Sequence, residues 1–199
     1  MFSGIIADIG IISNVRNKDE GVSIDVKSIF SNDLSLGESV AHNGVCLTVT
    51  KCEKDYYTVH CVHETLSKTN LKNLQEKSKI NLERSLLSSS RISGHFVQGH
   101  VDCTGECHQI NNTIGNTFFR FKYPKKYQNL IFEKGSICIN GVSLTISKII
   151  DSELLFEVCI IPHTLLNSTF QFLKKGEQVN LEFDMVSKQI NRSVNLLKH

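Results

Sequence analysis

The sequence predicts an all-β protein made of two similar small barrels followed by one helix, and three observations carry that reading. First, the chain repeats itself: residues 39–51 (SVAHNGVCLTVTK) lie on residues 136–148 (SICINGVSLTISK) with roughly half the positions identical. Second, segments rich in β-branched and aromatic residues recur about every 8 to 12 residues, which leaves little room for long helices. Third, Asn43-Gly44 and Asn140-Gly141 stand at the same place in each copy. Asn and Gly both tolerate positive φ, so each dipeptide reads as a tight hairpin turn.

Taken along the chain, each element has its own signal. The match between copies begins early, with residues 2–6 and Gly10 lying on residues 97–101 and Gly105. Val45, Cys46, Leu47, Thr48, Val49 and Thr50 read as a strand, as do residues 57–62, which alternate apolar and polar in period two before a polar turn. Glu64-Thr65-Leu66 then matches His163-Thr164-Leu165, and KINLE at 79–83 matches QVNLE at 178–182. The register drifts by a few residues between blocks, as small loop insertions require. Two tandem units of about 95 residues follow, each the size of a small domain. We place the barrels at 1–95 and 96–185. The tail, 186–199, differs: Val186, Ile190, Val194 and Leu197 fall at i, i+4, i+8 and i+11 among polar residues, a narrow apolar stripe on a helix. Such a helix is poorly stabilised alone and must dock, either on its own barrel or along copies of itself in an oligomer.

Composition narrows the function. The 199 residues carry 22 Lys+Arg against 20 Asp+Glu with no long basic block, so neither a nucleic-acid footprint nor an anionic-membrane patch is expected. Seven cysteines, an odd number in scattered positions, fit free thiols in a reducing compartment rather than a disulfide scaffold. The apolar start lacks a basic n-region and a cleavage site, and no run approaches the ~20 apolar residues of a membrane helix. A cytoplasmic location is the expectation.

No P-loop, dinucleotide fingerprint, nucleophile elbow or zinc-protease motif is present. Two clusters resemble metal ligands, Cys103/Cys107/His108 and His60/Cys61/His63. The first lacks the C-x-x-C spacing and a second pair, and in the second His60 and Cys61 point to opposite strand faces, so no metal is expected. More telling is what the repeat keeps: Cys46 and Thr48 in one copy, Ser143 and Thr145 in the other, two apart on a strand and therefore on one face. Glycines at 4 and 99 allow backbone to approach a planar ligand closely. Two equivalent halves, each with a pocket, suggest two bound copies of one ligand and a reaction between identical molecules.

Together, MFSGII at 1–6, HNGVCLTV at 42–49, ETL at 64–66, GHFVQGHVD at 94–102, NGVSLTI at 140–146 and IPHTL at 161–165 make the chain closely similar to the riboflavin synthases of the α-chain type, over essentially its whole length. The resemblance implies two six-stranded antiparallel lumazine-binding barrels, a homotrimer joined through the C-terminal helices, and dismutation of two 6,7-dimethyl-8-ribityllumazine molecules. One gives a four-carbon unit to the other, yielding riboflavin and 5-amino-6-ribitylaminouracil. It implies no cofactor, and lumazine synthase as a partner enzyme. Carried over residue by residue, contacts of the N-terminal barrel are Gly4, Ile5, Ile6, Cys46, Leu47, Thr48, His60, Cys61, Val62, His63, Glu64 and Thr65. Those of the C-terminal barrel are Gly99, His100, Val101, Lys134, Ser143, Leu144, Thr145, Ile161, Pro162, His163, Thr164, Leu165 and Leu166, with Asp184 at its family position. Ser39, Cys46, His100, Ser143 and Thr145 are the candidates for proton handling or for activating a nucleophile at ring carbon 7. His100 is the preferred base because imidazole titrates nearest neutrality. Phe2 is expected to close the site by packing on a ring. Asn140 stands where the family often has an acidic residue, and an amide can orient but not remove a proton. The rival reading is a non-catalytic lumazine- or flavin-binding protein of the same fold; such relatives tend to lose the second pocket, whereas Ser143-Leu144-Thr145 and Pro162-His163-Thr164 remain here. A flavin-dependent reductase would need a nucleotide-binding domain with a Gly-rich turn, which is absent.

Overall fold

A computed structural model describes residues 1–197 and shows two closed six-stranded antiparallel barrels and a terminal helix. The first comprises β1 (Asp8–Lys18), β2 (Gly21–Lys27), β3 (Ser39–His42), β4 (Val45–Cys52), β5 (Tyr57–Val62) and β6 (Lys79–Arg84). Around the barrel they run β1-β2-β5-β4-β3-β6. The second comprises β7 (Cys103–Thr113), β8 (Asn116–Lys122), β9 (Ser136–Ile139), β10 (Val142–Ile150), β11 (Leu155–Ile160) and β12 (Gln178–Phe183), in the same cyclic order. A short helix follows the fifth strand of each, α1 (His63–Lys68) and α2 (Pro162–Leu166), and α3 (Met185–Leu197) closes the chain. The last two residues of the expected 186–199 helix lie outside the described residues.

Both Asn-Gly turns form as their chemistry requires. Asn43 and Gly44 have φ of 46° and 79°, Asn140 and Gly141 of 47° and 82°, positive at both central positions as in a type I′ hairpin. Register shifts interrupt β1 between Ile12 and Asn14 and β4 between Val49 and Lys51. The second barrel repeats them between Cys107 and Gln109 and between Ile146 and Lys148. Such bulges bend and twist a strand, and in matching places they let each sheet curl onto itself.

The interiors share an architecture but not a composition. Aliphatic side chains fill the first barrel, including Ile12, Ile24, Val40, Val59, Ile80 and Leu82, with Tyr57 and His42 among them. The second is packed with phenylalanine: the rings of Phe119 and Phe170 meet edge to face at 5.2 Å, and Phe121 and Phe156 are tilted at 5.7 Å. Edge-on contact suits the aromatic quadrupole.

Alternation along the strands explains how the barrels join. On β6 and β12, Ile80, Leu82, Val179 and Leu181 point into the cores, so Asn81, Glu83, Asn180 and Glu182 point outward, yet all four are buried. They are buried because the other barrel covers them. Asn81 Nδ2 donates to the Asn140 carbonyl at 2.8 Å and Asn180 Nδ2 to the Asn43 carbonyl at 2.9 Å, a reciprocal pair about a pseudo-twofold axis. Phe2, Ala41, Val97 and Cys138 add a small apolar cluster, and Phe2 bridges Val97 as an isolated β-pair.

Candidate functional site

Each barrel carries on its outer wall one of two pockets that are equivalent position by position. The first, about 190 Å³, is lined by Val45, Cys46, Glu64, Thr65, Lys68, Thr69, Gly99, His100 and Val101. The second, about 130 Å³, is lined by Val142, Ser143, His163, Thr164, Asn167, Ser168, Gly4, Ile5 and Ile6. No residue belongs to both.

The walls are exchanged. Gly4, Ile5 and Ile6, expected beside Cys46 in the N-terminal barrel, lie against Ser143 of the C-terminal barrel, while Gly99, His100 and Val101, expected beside Ser143, lie against Cys46. Backbone bonds fix the exchange: Ser143 N–H donates to the Gly4 carbonyl at 2.7 Å and Cys46 N–H to the Gly99 carbonyl at 2.9 Å. Gly4 and Gly99 have φ of 77° and 81°, and a Cβ on either would come within 2.6 Å of Ser143 Cβ and 2.5 Å of Cys46 Cβ respectively. Only glycine allows an approach this close. The resemblance, carried over residue by residue, places each leading segment with its own repeat, and nothing local in the chain encodes the crossing.

Other expected contacts fall elsewhere. Leu47 and Cys61 are buried in the first core, as strand alternation demands once Cys46 and His60 face out. Phe2 is wholly buried in the seam and is not free to close over a ligand. Ser39, Thr48, His60, Val62, Lys134, Leu144 and Thr145 line neither pocket. Ser39 pairs with Thr48 across β3 and β4, and Thr145 with Ser136 across β10 and β9. Lys134 sits in the turn before β9, its N–H donating to the Ile146 carbonyl. His63 Nε2 meets the Asp19 carbonyl at 3.1 Å. Ile161 is exposed, and Pro162, Leu165 and Leu166 border a separate cavity of about 220 Å³. Asp184 caps α3, its Oδ1 accepting from Val186 N–H at 2.8 Å and Ser187 N–H at 3.2 Å. Asn140 lies in the seam, away from both pockets, with Oδ1 accepting from Asn180 N–H at 2.8 Å and Asn70 Nδ2 at 3.1 Å. Its role here is to shape a turn and join the barrels.

The pockets differ in polarity. At the first, Lys68 Nζ pairs with Glu64 Oε1 at 2.7 Å. At the second, His163 and Asn167 take those two places, and Ile5 takes the place of His100. Ser143 of the second pocket also has a partner that duplication does not reveal, His95, which does not itself line the pocket. His95 Nδ1 lies 2.7 Å from Ser143 Oγ. Burial pushes this imidazole below the usual histidine range, and the charge of Asp184 acts in the opposite direction. A neutral imidazole on a hydroxyl is a proton-transfer couple. His95 stands in the segment between the barrels and has no counterpart in the first repeat, so the signal available was its place in GHFVQGHVD rather than duplication. The buried thiols are poor ligands or nucleophiles, because burial raises Cys61 and Cys107 to about 11 and Cys103 to about 12.

A larger concavity, about 640 Å³, lies along the seam beside Asn43, Asn140, Lys77, Lys79 and Phe172. None of the duplicated Gly-Val-Xaa-Leu-Thr side chains reaches it, so the pair of smaller pockets is the candidate site.

Two tandem barrels with one equivalent pocket each, walled by exchanged segments, define the class of the protein: a tandem β-barrel protein with a duplicated small-molecule-sized pocket. The lumazine binding domain model matches residues 3–85 and 98–184, one match per barrel. The chain is 39% identical over 193 residues to the riboflavin synthase of Actinobacillus pleuropneumoniae and 37% identical over 193 residues to that of Bacillus subtilis (strain 168), in each case 96% of this chain and 89% of the relative. To the riboflavin synthase of Chlamydia pneumoniae it is 38% identical over 190 residues, 94% and 92% of the two chains. In fold it is similar to LumP complexed with riboflavin, with a TM-score of 0.86 at 23% identity over 92% of this chain and 100% of that one. LumP complexed with 6,7-dimethyl-8-(1'-D-ribityl) lumazine superposes with a TM-score of 0.83 at 22% identity, covering 92% and 99%. The chain belongs to the riboflavin synthase family of tandem lumazine-binding-domain proteins.

Proposed function

We propose that the protein is a riboflavin synthase: it takes two molecules of 6,7-dimethyl-8-ribityllumazine, moves a four-carbon unit from one to the other, and releases riboflavin and 5-amino-6-ribitylaminouracil. The observation that carries this reading is the pair of equivalent pockets, one per barrel, with no lining residue in common. A reaction between two identical substrates needs two similar sites; a carrier of one chromophore needs one.

The chemistry asks little of the protein beyond placement. The lumazine 7-methyl protons are acidic because the carbanion delocalises into the electron-poor ring, so orienting two rings and moving protons supplies most of the acceleration, without a cofactor. Ser143 and His95 are the proton-handling couple of the second pocket, with the neutral imidazole able to take the hydroxyl proton as the oxygen adds or to return it. His100 and Cys46 both line the first pocket. That one pocket carries the Ser143–His95 couple and the other the Glu64–Lys68 pair is the asymmetry that separates the roles of the two lumazines.

The substrates meet between chains. The first pocket, about 190 Å³, is smaller than the ~300 Å³ or more that encloses a ligand of this size, so a lumazine bound there keeps one face uncovered within a single chain, while the second pocket adjoins a cavity of about 480 Å³ with which it shares Ile6, His163 and Asn167. In a homotrimer the first pocket of one chain faces the second pocket of its neighbour, and each ligand covers the other. The apolar stripe of α3 provides a surface for that assembly, since Val186, Ile190 and Leu197 are 56%, 58% and 87% exposed on this chain and do not dock on their own barrel. Among the described residues no helix is long and apolar enough to cross a membrane.

The test is incubation of the purified protein with 6,7-dimethyl-8-ribityllumazine alone, followed by chromatography. One riboflavin and one 5-amino-6-ribitylaminouracil per two lumazines consumed establishes the dismutation. Binding without turnover moves the chain to the carrier class.

A further inference from the structure

The two leading segments that wall the pockets are each held by one buried carboxylate. Glu83, 6% exposed at the outward face of β6, accepts from Ser3 N–H at 2.7 Å, Ser3 Oγ at 2.9 Å and Gly4 N–H at 2.9 Å. Glu182, 3% exposed on β12, accepts from Gln98 N–H at 2.7 Å and from Gly99 and His100 N–H at 2.9 Å each. Three donors converge on each carboxylate, and all but one are backbone groups of the chain that walls a pocket. Buried N–H groups need acceptors, and a carboxylate offers only acceptors, so it suits a site made of donors alone.

The anchored segments do not serve the barrel that anchors them. From Glu83 in the first barrel the chain runs through Gly4 to Ser143 in the second; from Glu182 in the second it runs through Gly99 to Cys46 in the first. We propose that Glu83 and Glu182 are positioning residues acting across the seam: Glu83 sets the wall of the Ser143 pocket, and Glu182 sets the wall of the Cys46 pocket, including His100. The duplicated Asn-Leu-Glu at 81–83 and 180–182 is therefore a binding-site motif that touches no ligand. Burial raises both carboxyls above the usual range while the converging donors oppose it, as expected for an acid placed in a dry seam for the sake of its acceptors.

The consequence for two ligand sites rests on the function proposed above, whereas the anchoring itself does not, and the experiment separates them. Glu83→Gln and Glu182→Gln place an amide donor against converging N–H groups. Amide exchange on the unliganded full chain reads the anchoring. Glu182→Gln is expected to speed exchange at Gln98, Gly99 and His100 about tenfold or more and to leave Ser3 and Gly4 unchanged, with the reverse for Glu83→Gln. Riboflavin titration by fluorescence quenching reads the consequence, with Thr65→Tyr and Thr164→Tyr, which obstruct one pocket each, identifying the two classes of site. Glu182→Gln is expected to weaken the class lost in Thr65→Tyr about tenfold and to leave the other within about twofold; Glu83→Gln does the opposite.

A general loss of stability would lower both classes together, and that result overturns the proposal. So does loss of the site in the carboxylate's own barrel, or unchanged exchange at the anchored amides. A wild-type chain that binds no riboflavin overturns the functional reading alone, and exchange still decides the anchoring. Where a glutamine variant does not fold, Glu→Asp, which keeps the charge and shortens the reach, is expected to show the same split at smaller amplitude.

Discussion

Ser143 Oγ and His95 Nδ1 are 2.7 Å apart across the seam between the second barrel and the segment that leads into it. Gly94 makes the approach possible, since a Cβ there would lie 2.1 Å from the Ser3 carbonyl oxygen and 2.7 Å from Ser143 Oγ. Burial keeps the imidazole neutral below the usual histidine range. His95→Gln and Ser143→Ala are each expected to lower kcat by about a hundredfold or more, and the double variant to lose little beyond either single one, because the two act as a unit. Steady-state turnover of the lumazine measures all three. In the wild-type enzyme the acid limb of kcat should fall below pH ~6.5 and should shift or vanish in His95→Gln; additive losses, or an unmoved limb, would detach His95 from the chemistry.

A second histidine is structural and makes stability depend on pH. His42 is 1% exposed inside the first barrel, with Nδ1 donating to the Val40 carbonyl at 3.0 Å and Nε2 accepting from Tyr57 Oη at 2.8 Å. Burial holds it down to about 4, against 6.5 for a free histidine. The unfolded chain therefore binds a proton between those values when the folded chain does not. The stabilising contribution is complete above pH 6.5 and is lost as pH falls through about 4, a change of roughly 3 kcal/mol. Denaturant melts of wild type and His42→Gln between pH 7 and pH 4.5 should converge on acidification. The difference between the two isolates His42 from the buried carboxylates, whose raised pKa gives the opposite slope.

The Asn-Gly turns make a third, purely steric prediction. Gly141 has φ of 82°, and a Cβ there would sit 2.8 Å from Gly44 N, because the two hairpins meet tip to tip on the pseudo-twofold axis. Gly115 has φ of 86° with open space around it. Gly115→Ala should cost about 1 kcal/mol of backbone strain, while Gly141→Ala adds a clash between the barrels and should cost about 3 kcal/mol or more. Equal midpoint shifts in urea would mean that the turns are not in contact in solution.

How much of this the sequence shows by itself depends on whether the signal is local. Strand alternation, the Asn-Gly turns and the repeat are local or periodic, so the two barrels and the terminal helix could be read directly from residues such as Val45–Cys52 and Tyr57–Val62. The crossing of Gly4 and Gly99 could not, because a glycine says that something approaches closely but not what. Glu83 and Glu182 were visible as duplicated residues, yet only their burial by the opposite barrel gives them a task. His95 is the opposite case: it belongs to the linker and is not duplicated, so the symmetry of the repeat does not point to it. Leu47 and Cys61 are ligand contacts by what the resemblance implies, whereas strand alternation turns both inward.

The helix α3 gives the last prediction, and it tests where the reaction takes place. Its stripe of Val186, Ile190, Val194 and Leu197 is exposed, while Lys188 reaches back to Asp102, 3.0 Å from Oδ2, and so ties the base of the helix to the segment carrying Gly99, His100 and Val101. Exposed apolar stripes of this kind suit a partner surface, and under the proposed trimer a second copy docked here would bring a second pair of pockets into reach. Deleting residues 186–199 should yield monomers in the analytical ultracentrifuge, with turnover reduced about a hundredfold, while Ile190→Lys in the full chain should do the same and keep the Lys188–Asp102 tie. Riboflavin should still bind both variants, because neither pocket is lined by α3. A monomer that turned over lumazine at the wild-type rate would require both substrates to meet within one chain, where the two pockets share no wall, and would remove the argument for chemistry at the interface between subunits.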